Sequence, residues 1–521
     1  MKKHIILVLT FIVLLVGSPS LISAAGTTGS KVNDYIFSQN LAPIKVQNDY
    51  KSSFPNFTYR NGFGEVEGVV VHETGNDNST ITGEISYMSK NYQNAFVHAF
   101  VDGSHVIEIH SLDYGAWGAG KYANQRFVHV ELVRAKTFDE FARSVNNDAN
   151  YIANILYRYN LPLIDAGNTG TGTLWSHNAV TKFLGGTTHT DPIDYFQKWG
   201  YSWDQFVQLV ASYYQKLPDK IADTNRLGQI RNSNISIYQN YNDSTSSMKA
   251  DDSVMNQTFY IKKLAFFGKQ TYYLLSRQPS STDGVVGWVK AADVITYPNT
   301  LVDQSSKTLY FTGNGSAYSK PWGAKNDVVF GSLSDDTNLE FKINRTEMVG
   351  NAVWYQGSLA GKTVWMDAGN LNQAVESAAS RLGNIQNGTV KIYKNLGSSS
   401  PFQAGTAYIN KVYYIKRQAK LGSQTYYLLS GNETGTSPIG WVLSTDFISR
   451  NYENVSNKVK NLCLSGNGSA YSKPWGGTKD VVFAKLSVYK KRSFTVKQTA
   501  MVDSTYWYYG VLAGKNVWLI P

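Results

Sequence analysis

The chain has 521 residues, which is too long for one ordinary domain and predicts several. Its one cysteine, Cys463, excludes an internal disulfide, and its alternating apolar surroundings predict a buried thiol. The net charge of +11 is divided unevenly, with −5 on residues 31–219 and +14 on residues 220–521. A basic half of this kind predicts an anionic partner.

The N-terminus has the pattern of a secretory signal peptide. Lys2 and Lys3 precede an apolar run that ends near Val16, and small residues follow up to Ala25. A retained N-terminal anchor is the alternative, and no later stretch is long and apolar enough to span a membrane. Export without disulfides is typical of a bacterial protein, for which an anionic surface polymer is a better partner than nucleic acid.

The next 190 residues predict an α/β domain with a mixed sheet flanked by helices. Capping-box patterns begin at Thr137 and Ser202, and each precedes an amphipathic helical pattern. Residues 26–55 are expected to form a poorly packed leader. Helices are predicted near 82–91, 137–159 and 202–213, and strands at 67–73, 95–101, 105–110 and 127–133.

All seven histidines downstream of the signal sequence lie between His72 and His189. His72 ends a valine-rich strand, His177 begins a helical pattern, and Asp191 follows in a loop. Two imidazoles and one carboxylate from separate segments can bind a catalytic zinc and leave a fourth position for water.

Two further side chains suit proton transfer at such a zinc. Glu131 lies in an apolar strand, where a carboxylate is costly unless it is paired, protonated or near a metal. It can accept a proton from water, and His189 can stabilise the oxyanion or protonate the leaving amine. The alternatives are a core role for His72, a loop hydrogen-bond motif for His189, and an ion pair of Glu131 with Arg126 or Arg134.

The C-terminal 300 residues repeat. The segment NGSAYSKPWGAKNDVVF at 314–330 recurs at 467–483 as NGSAYSKPWGGTKDVVF, and each repeat of about 154 residues divides into two related halves. Short β-rich runs alternate with turns, which is typical of small β-barrels or sandwiches. Trp288 and Trp441 of the two GWV motifs are expected to fill the cores of these modules.

The motifs VVVHET, NAFVHAFVDG, YGAWGAG, FVHVELV, WSHNAV and HTDP occur in this order. The chain thereby resembles the zinc-dependent N-acetylmuramoyl-L-alanine amidases of type 2, in particular those of staphylococcal and listerial autolysins. The repeats resemble the GW modules of the same autolysins, which have SH3-like folds and bind lipoteichoic or wall teichoic acid.

The resemblance implies a role for individual residues. His72, His177 and Asp191 correspond to the Zn²⁺ ligands, Glu131 to the catalytic carboxylate and His189 to the second catalytic side chain. Trp117 lies in a segment that lines the substrate groove in relatives, and His98 holds a structural or substrate-facing position. Ala119 replaces a histidine that some relatives have two residues after the tryptophan.

These observations predict a secreted, wall-associated, monomeric autolysin that cleaves the amide between N-acetylmuramic acid and L-alanine of peptidoglycan. A non-catalytic peptidoglycan-binding adhesin and a zinc endopeptidase acting on the stem peptide remain alternatives. The predicted divisions are a signal peptide (1–25), a leader (26–55), the zinc amidase domain (56–219) and GW modules at 226–297, 300–372, 381–450 and 456–521.

Overall fold

The computed structural model describes residues 28–521, so the predicted signal peptide lies outside the described residues. The chain divides into two compact units, and the boundary lies between Pro218 and Asp219. Within the described residues, no helix is both long enough and apolar enough to cross a bilayer.

The first unit is a six-stranded mixed sheet with helices, as the sequence predicts. The sheet order is β1-β4-β3-β5-β2-β6, in which only the β3–β4 pair is antiparallel. The strands are β1 (Val46–Asn48), β2 (Gly68–Glu73), β3 (Ala99–Val101), β4 (Val106–Glu108), β5 (Phe127–Leu132) and β6 (Leu174–Ser176). The helices are α1 (Lys31–Ser38), α2 (Ile81–Asn91), α3 (Gly120–Ala123), α4 (Phe138–Arg158), α5 (His177–Phe183), α6 (Ile193–Lys198) and α7 (Trp203–Tyr214).

Helix α4 covers the sheet and begins at a complete capping box. The Thr137 side chain accepts from the Glu140 backbone N–H, and the Glu140 carboxylate accepts from the Thr137 backbone N–H. Ser202 and Gln205 form the same arrangement at the start of α7. Each box satisfies backbone donors that the first helical turn leaves free, and both sequence predictions are confirmed.

The expectation of a poorly packed leader at 26–55 is wrong for its described part. Helix α1 buries Val32 and Ile36, and the Asn33 side chain donates to the backbone carbonyl of Gln205 in α7. Strand β1 joins the sheet by parallel pairing with β4. Because α1 has only eight residues, its apolar period is too short to recognise, and its partners are distant in sequence.

The second unit consists of β structure, with strands shared between neighbouring modules. Strand β13 pairs with β7 on one side and β17 on the other, so the first two modules share one sheet. Strand β27 joins the last two modules in the same way, to β21 and β31. A strand therefore replaces a flexible linker within each repeat.

The strands of the first repeat are β7 (Lys220–Ile230), β8 (Ser236–Tyr238), β9 (Ser247–Lys249), β10 (Phe259–Phe267), β11 (Gln270–Ser276), β12 (Val285–Lys290), β13 (Val294–Asp303), β14 (Lys307–Phe311), β15 (Ala317–Tyr318), β16 (Val328–Phe330), β17 (Glu340–Val349), β18 (Ala352–Leu359), β19 (Lys362–Asp367) and β20 (Leu371–Asn372). Those of the second are β21 (Val375–Asn384), β22 (Lys391–Ile392), β23 (Phe402–Gln403), β24 (Val412–Leu421), β25 (Gln424–Ser430), β26 (Pro438–Leu443), β27 (Ile448–Ser456), β28 (Lys460–Cys463), β29 (Ala470–Tyr471), β30 (Val481–Phe483), β31 (Ser493–Val502), β32 (Thr505–Leu512) and β33 (Lys515–Leu519). One short helix, α8 (Gly405–Tyr408), lies between β23 and β24. Short 3-10 helices span Tyr59–Gly62, Ala291–Asp293, Lys325–Asp327, Ser334–Asp336, Ala368–Asn370, Thr478–Asp480 and Ser487–Tyr489.

The tryptophan of each GWV motif fills a core, as predicted. Trp288 and Trp441 are only 8% and 6% exposed, and each faces a tyrosine on the neighbouring strand or bridge. The preceding glycine has a steric reason: a Cβ on Gly440 would lie 2.8 Å from the carbonyl oxygen of Tyr393. The Gly-Trp pair thus combines close backbone approach with a large buried ring.

The prediction of a buried Cys463 is wrong, because this side chain is exposed. Strand β28 pairs only with β31 among the described strands, and Leu464 takes the buried position beside it. Since side chains alternate along a strand, Cys463 points to solvent. The sequence shows the alternation, but the alternation alone does not determine which of the two faces is buried.

Candidate functional site

Strands β2 and β5 bring two of the predicted site residues together. His72 and Glu131 lie opposite each other in the parallel register of these strands, near both carboxyl ends. Side chains of directly paired residues point to the same face of a sheet. Binding sites in α/β proteins usually form at the carboxyl edge of the sheet. The valine run before His72 shows that His72 lies at this edge.

The other two potential ligands come from the segment after β6, which pairs with β2. His177 is the first residue of α5, and the Ser176 side chain caps that helix. Asp191 lies in the loop before α6, where its backbone carbonyl accepts from the N–H of Asn178. The loop is thereby tied to the helix that carries His177.

Three potential ligand atoms converge. The Nδ1 atoms of His72 and His177 are 3.0 Å apart. Asp191 places Oδ1 3.0 Å from the His177 Nδ1 and Oδ2 3.3 Å from the His72 Nδ1. Among the described residues, this is the group of His, Cys, Asp and Glu side chains whose geometry fits a metal ion. Two imidazoles and one carboxylate suit zinc with an open coordination position.

The second nitrogen of each histidine has its own hydrogen-bond partner. His177 Nε2 lies 2.8 Å from Thr187 Oγ1, and His72 Nε2 lies 3.1 Å from His129 Nδ1. A metal that binds both Nδ1 atoms requires the proton of each ring on Nε2, where these partners can accept it. Partners of this kind orient metal-binding histidines and fix their tautomers, so the residues present fit the metal that the donor set implies.

The charges of His72 and Asp191 also suit a cation. Burial lowers the pKa of His72 to about 4, so its imidazole is neutral at neutral pH. Burial opposes ionisation of Asp191, but hydrogen bonds from His177 and His72 outweigh it and hold the carboxyl pKa below its ordinary value. The site therefore offers a neutral nitrogen from His72 and an ionised carboxylate from Asp191.

Glu131 has no cationic partner within 4.0 Å in residues 28–521, and both arginines of the ion-pair alternative pair with other carboxylates, so that alternative is wrong. Arg126 pairs with Glu67 at 2.9 Å, and Arg134 pairs with Glu73 at 2.5 Å. The Oε2 atom of Glu131 is buried and has no hydrogen-bond partner among the described residues. Burial, followed by the negative charge of Asp191, raises the pKa of Glu131 well above its ordinary value, as expected of a proton acceptor in a site.

His189 lies at the rim of this group. Its side chain is 70% exposed, and its ring stacks on that of His177 with centroids 4.8 Å apart. The His189 backbone carbonyl accepts from Thr181 Oγ1 at 2.6 Å, which fixes the loop. The adjoining cleft of about 410 Å³ is open to solvent and is lined by Glu73, Arg134, Thr188, His189, Thr190, Asp191 and Asp194.

Of the two predicted groove residues, His98 does not face a groove. It is fully buried, and its Nε2 lies 2.9 Å from the carbonyl oxygen of Tyr114 and 3.2 Å from the hydroxyl of Tyr59. Trp117 is 36% exposed and stacks on Phe57. Only Trp117 can contact a bound molecule.

Sequence reasoning missed the two residues that support the histidines, His129 and Thr187. The alternation of β5 places His129 on the same face as Glu131, and this was the available signal. No local pattern connects Thr187 with His177. Contacts of this kind depend on three-dimensional packing, and the residues that make them have no fixed spacing in the sequence.

The fold and site define a two-part protein, in which a mixed sheet carries a cluster of two histidines and one aspartate and repeated β modules follow. Residues 62–194 match the family described as N-acetylmuramoyl-L-alanine amidase. Residues 221–294, 300–372, 376–447 and 450–519 each match the GW (Gly-Tryp) dipeptide domain. The GW matches cover more than half of the chain, which therefore belongs to the GW-domain family.

Curated relatives include the bifunctional autolysins of Staphylococcus aureus. That of strain MSSA476 is 34% identical over 539 residues, which cover 94% of this chain and 42% of the relative. The chain thus spans less than half the length of the curated relatives that it matches.

Two solved structures are also similar. The Staphylococcus aureus hydrolase AmiA in complex with its ligand is 52% identical, with 36% of this chain and 90% of that chain covered and a TM-score of 0.35. The structure of PlyL is 21% identical, with 32% of this chain and 97% of that chain covered and a TM-score of 0.26.

Proposed function

We propose that this chain is a zinc-dependent peptidoglycan amidase that hydrolyses the bond between the lactyl group of N-acetylmuramic acid and L-alanine. The observation that carries the proposal is the convergence of His72, His177 and Asp191 beside the unpaired carboxyl of Glu131. The match to the amidase family supports the choice of bond.

The zinc would be held by the Nδ1 atom of His72, the Nδ1 atom of His177 and the carboxylate of Asp191. When bound, zinc polarises a carbonyl and acidifies a water molecule. Glu131 accepts the proton of the attacking water on its buried Oε2. The exposed ring of His189 stabilises the developing oxyanion or donates a proton to the leaving amine of L-alanine.

The GW domains would hold the enzyme on the wall through teichoic or lipoteichoic acid. The +14 charge of residues 220–521 favours such an anionic polymer, and several modest sites on one chain bind by avidity. We include secretion through the signal peptide at 1–25, an amidase domain at 56–219 and a monomeric chain in the proposal. Attachment by charge predicts that retention on walls weakens as salt rises.

Digestion of purified cell wall tests the catalytic proposal. The intact chain, Glu131→Gln and the control Glu65→Gln are compared, because Glu65 is an exposed carboxylate outside the site. We expect new N-terminal alanine with the intact chain and the control, and a loss of at least about a hundredfold with Glu131→Gln. A chelator should abolish release, and added zinc should restore it.

Other products would identify the rival functions. Wall binding without any new amine from the zinc-loaded chain would favour a peptidoglycan-binding adhesin. A new amine other than N-terminal alanine would favour an endopeptidase acting on the stem peptide. Unchanged release by Glu131→Gln would contradict the role given to that carboxylate.

A further inference from the structure

The second and fourth GW domains can be compared with each other, because their core residues are the same and their surface residues differ. Residues 314–330 and 467–483 are nearly identical, with an offset of 153. Leu333 and Leu486 occupy the same buried position, as do Phe341 and Phe494. Differences between these domains therefore report on surface function and not on folding.

The net charges of these two domains are opposite in sign. Residues 300–372 contain six Lys/Arg and seven Asp/Glu, a net charge of −1. Residues 450–519 contain eleven Lys/Arg and three Asp/Glu, a net charge of +8. The positive charge of the C-terminal half is thus concentrated in its last domain.

Much of this difference lies in one turn. The acidic turn (334–340) has the sequence SDDTNLE, and the equivalent basic turn (487–493) has the sequence SVYKKRS. Both begin with a 3-10 helix, and both have a left-handed residue at the same place, with φ of 65° at Asn338 and 64° at Lys491. The backbone is conserved while the charge is reversed.

The two turns also have different neighbours. In the acidic turn, Asn338 donates to the Gln424 side chain at 2.7 Å, and the Glu340 N–H donates to Gly397 at 2.8 Å. Both partners belong to the third domain, so the acidic turn contacts another domain of the same chain. The basic turn has its backbone hydrogen bonds within its own domain, to Leu464 and Tyr489 among the described residues.

The cations of the basic turn are available to a ligand. Lys490, Lys491 and Arg492 are exposed, and none has an acidic partner within 4.0 Å in residues 28–521. Arg492 lies over the Tyr489 ring at 5.5 Å, which orders its guanidinium. Unpaired, exposed cations on a fixed turn attract a polyanion without first breaking an ion pair.

The positive surface continues along the adjoining strand. Strand β31 follows the turn and carries Lys497 on its exposed face, opposite the buried Phe494 and Val496. Lys497 lies five positions after Arg492, about 16 Å away at the usual rise, and the segment between them is called the basic stripe. A stripe of this length fits several units of an extended polymer.

We infer that the basic turn of the fourth GW domain, with this stripe, is the main contact of the chain with a phosphate-rich anionic polymer, while the second domain serves as a structural connector. This inference rests on the proposed wall-binding function and locates it. Phosphate oxygens are suited to the paired donors of Arg492 and to the point charges of the two lysines.

The test uses the full chain and immobilised poly(glycerol phosphate). The turn variant Lys490→Thr/Lys491→Asn/Arg492→Leu introduces the residues that the acidic turn has at these positions. The control Lys391→Gln/Lys394→Gln/Lys420→Gln removes three exposed cations from the third domain. Thermal unfolding verifies that both variants fold, and Lys490→Gln/Lys491→Gln/Arg492→Gln serves as a second turn variant.

We expect the turn variant to bind at least about tenfold more weakly at low salt. The slope of log affinity against log salt should become shallower by about two, since three phosphate contacts are lost. The control should lose less than about threefold, because its cations lie outside the stripe.

Equal losses in the turn variant and the control would overturn the inference, and so would an unchanged turn variant, while wall binding by the GW domains would stand. If the intact chain itself does not bind the polymer, the wall-binding proposal fails together with the inference. A heparin surface is measured in parallel. If the turn variant loses affinity for heparin but not for poly(glycerol phosphate), the inference would also be overturned, because sulfate would then be the preferred anion.

Discussion

The hydrogen bond between His72 and His129 should contribute to zinc affinity and not to the apo fold. Without zinc, His72 can carry its proton on Nδ1 and donate to Asp191 Oδ2, 3.3 Å away. With zinc on Nδ1, the proton must be on Nε2, and His129 Nδ1 at 3.1 Å is then its acceptor. The loss of this acceptor therefore affects the bound state selectively.

The magnitude follows from the cost of an unsatisfied buried donor. His72 is 1% exposed, so water cannot replace the acceptor. A buried donor without a partner costs about 1–3 kcal/mol, and changes around metal ligands weaken affinity by about 10–100-fold. We expect His129→Leu to weaken zinc binding within this range, and His129→Gln, which keeps an acceptor oxygen, to weaken it less.

The assay is competition for zinc between the full chain and a chromophoric chelator. Thr187→Val is the matched variant, because it removes the acceptor for the second histidine, His177. Thermal unfolding of the apo proteins separates zinc affinity from folding. Unchanged zinc affinity in a folded His129→Leu variant would refute this reasoning.

Three further predictions concern stability. Burial raises the pKa of Asp148 well above its ordinary value, and its carboxyl oxygens have no partner among the described residues. The folded state therefore retains a proton that the unfolded state releases, so the stability of the fold falls as the pH rises above the ordinary pKa of an aspartate. Asp148→Asn should raise the melting temperature at pH 8 more than at pH 3. An equal effect at both pH values would contradict this. Thr137→Ala removes the capping box of α4 and should lower the free energy of unfolding by about 0.5–2 kcal/mol in urea titrations, whereas no change would show that the cap is dispensable. Gly440→Ala places a Cβ 2.6 Å from the Ile392 side chain and 2.8 Å from the Tyr393 carbonyl oxygen. It should lower the free energy of unfolding by about 1–3 kcal/mol. A variant as stable as the native chain would refute the steric explanation of the Gly-Trp pair.

The candidate ligands could be found from sequence because each has a strong local signal. His72 ends a run of valines, which marks a strand and its end, and His177 begins a capped helix. Glu131 is conspicuous as a carboxylate in an apolar strand. These signals place each residue on an element, and the parallel register of the sheet then brings His72 and Glu131 together.

Other features depend on contacts between residues distant in sequence. Helix α1 is held, among other residues, by Tyr201, whose hydroxyl donates to Asn33. The environment of His98 depends on Tyr59 and Tyr114, which surround it from other segments. A pattern of apolar residues gives the period of an element but not its partners, and for Cys463 the period alone did not determine which face is buried.

The most direct test of the central claim is cleavage of a synthetic N-acetylmuramoyl-L-alanyl peptide by the zinc-loaded full chain, with the products identified by mass. The account predicts free N-acetylmuramic acid and a peptide with N-terminal alanine, and neither product after Asp191→Ala. Cleavage at another amide bond, or equal cleavage by Asp191→Ala, would contradict it.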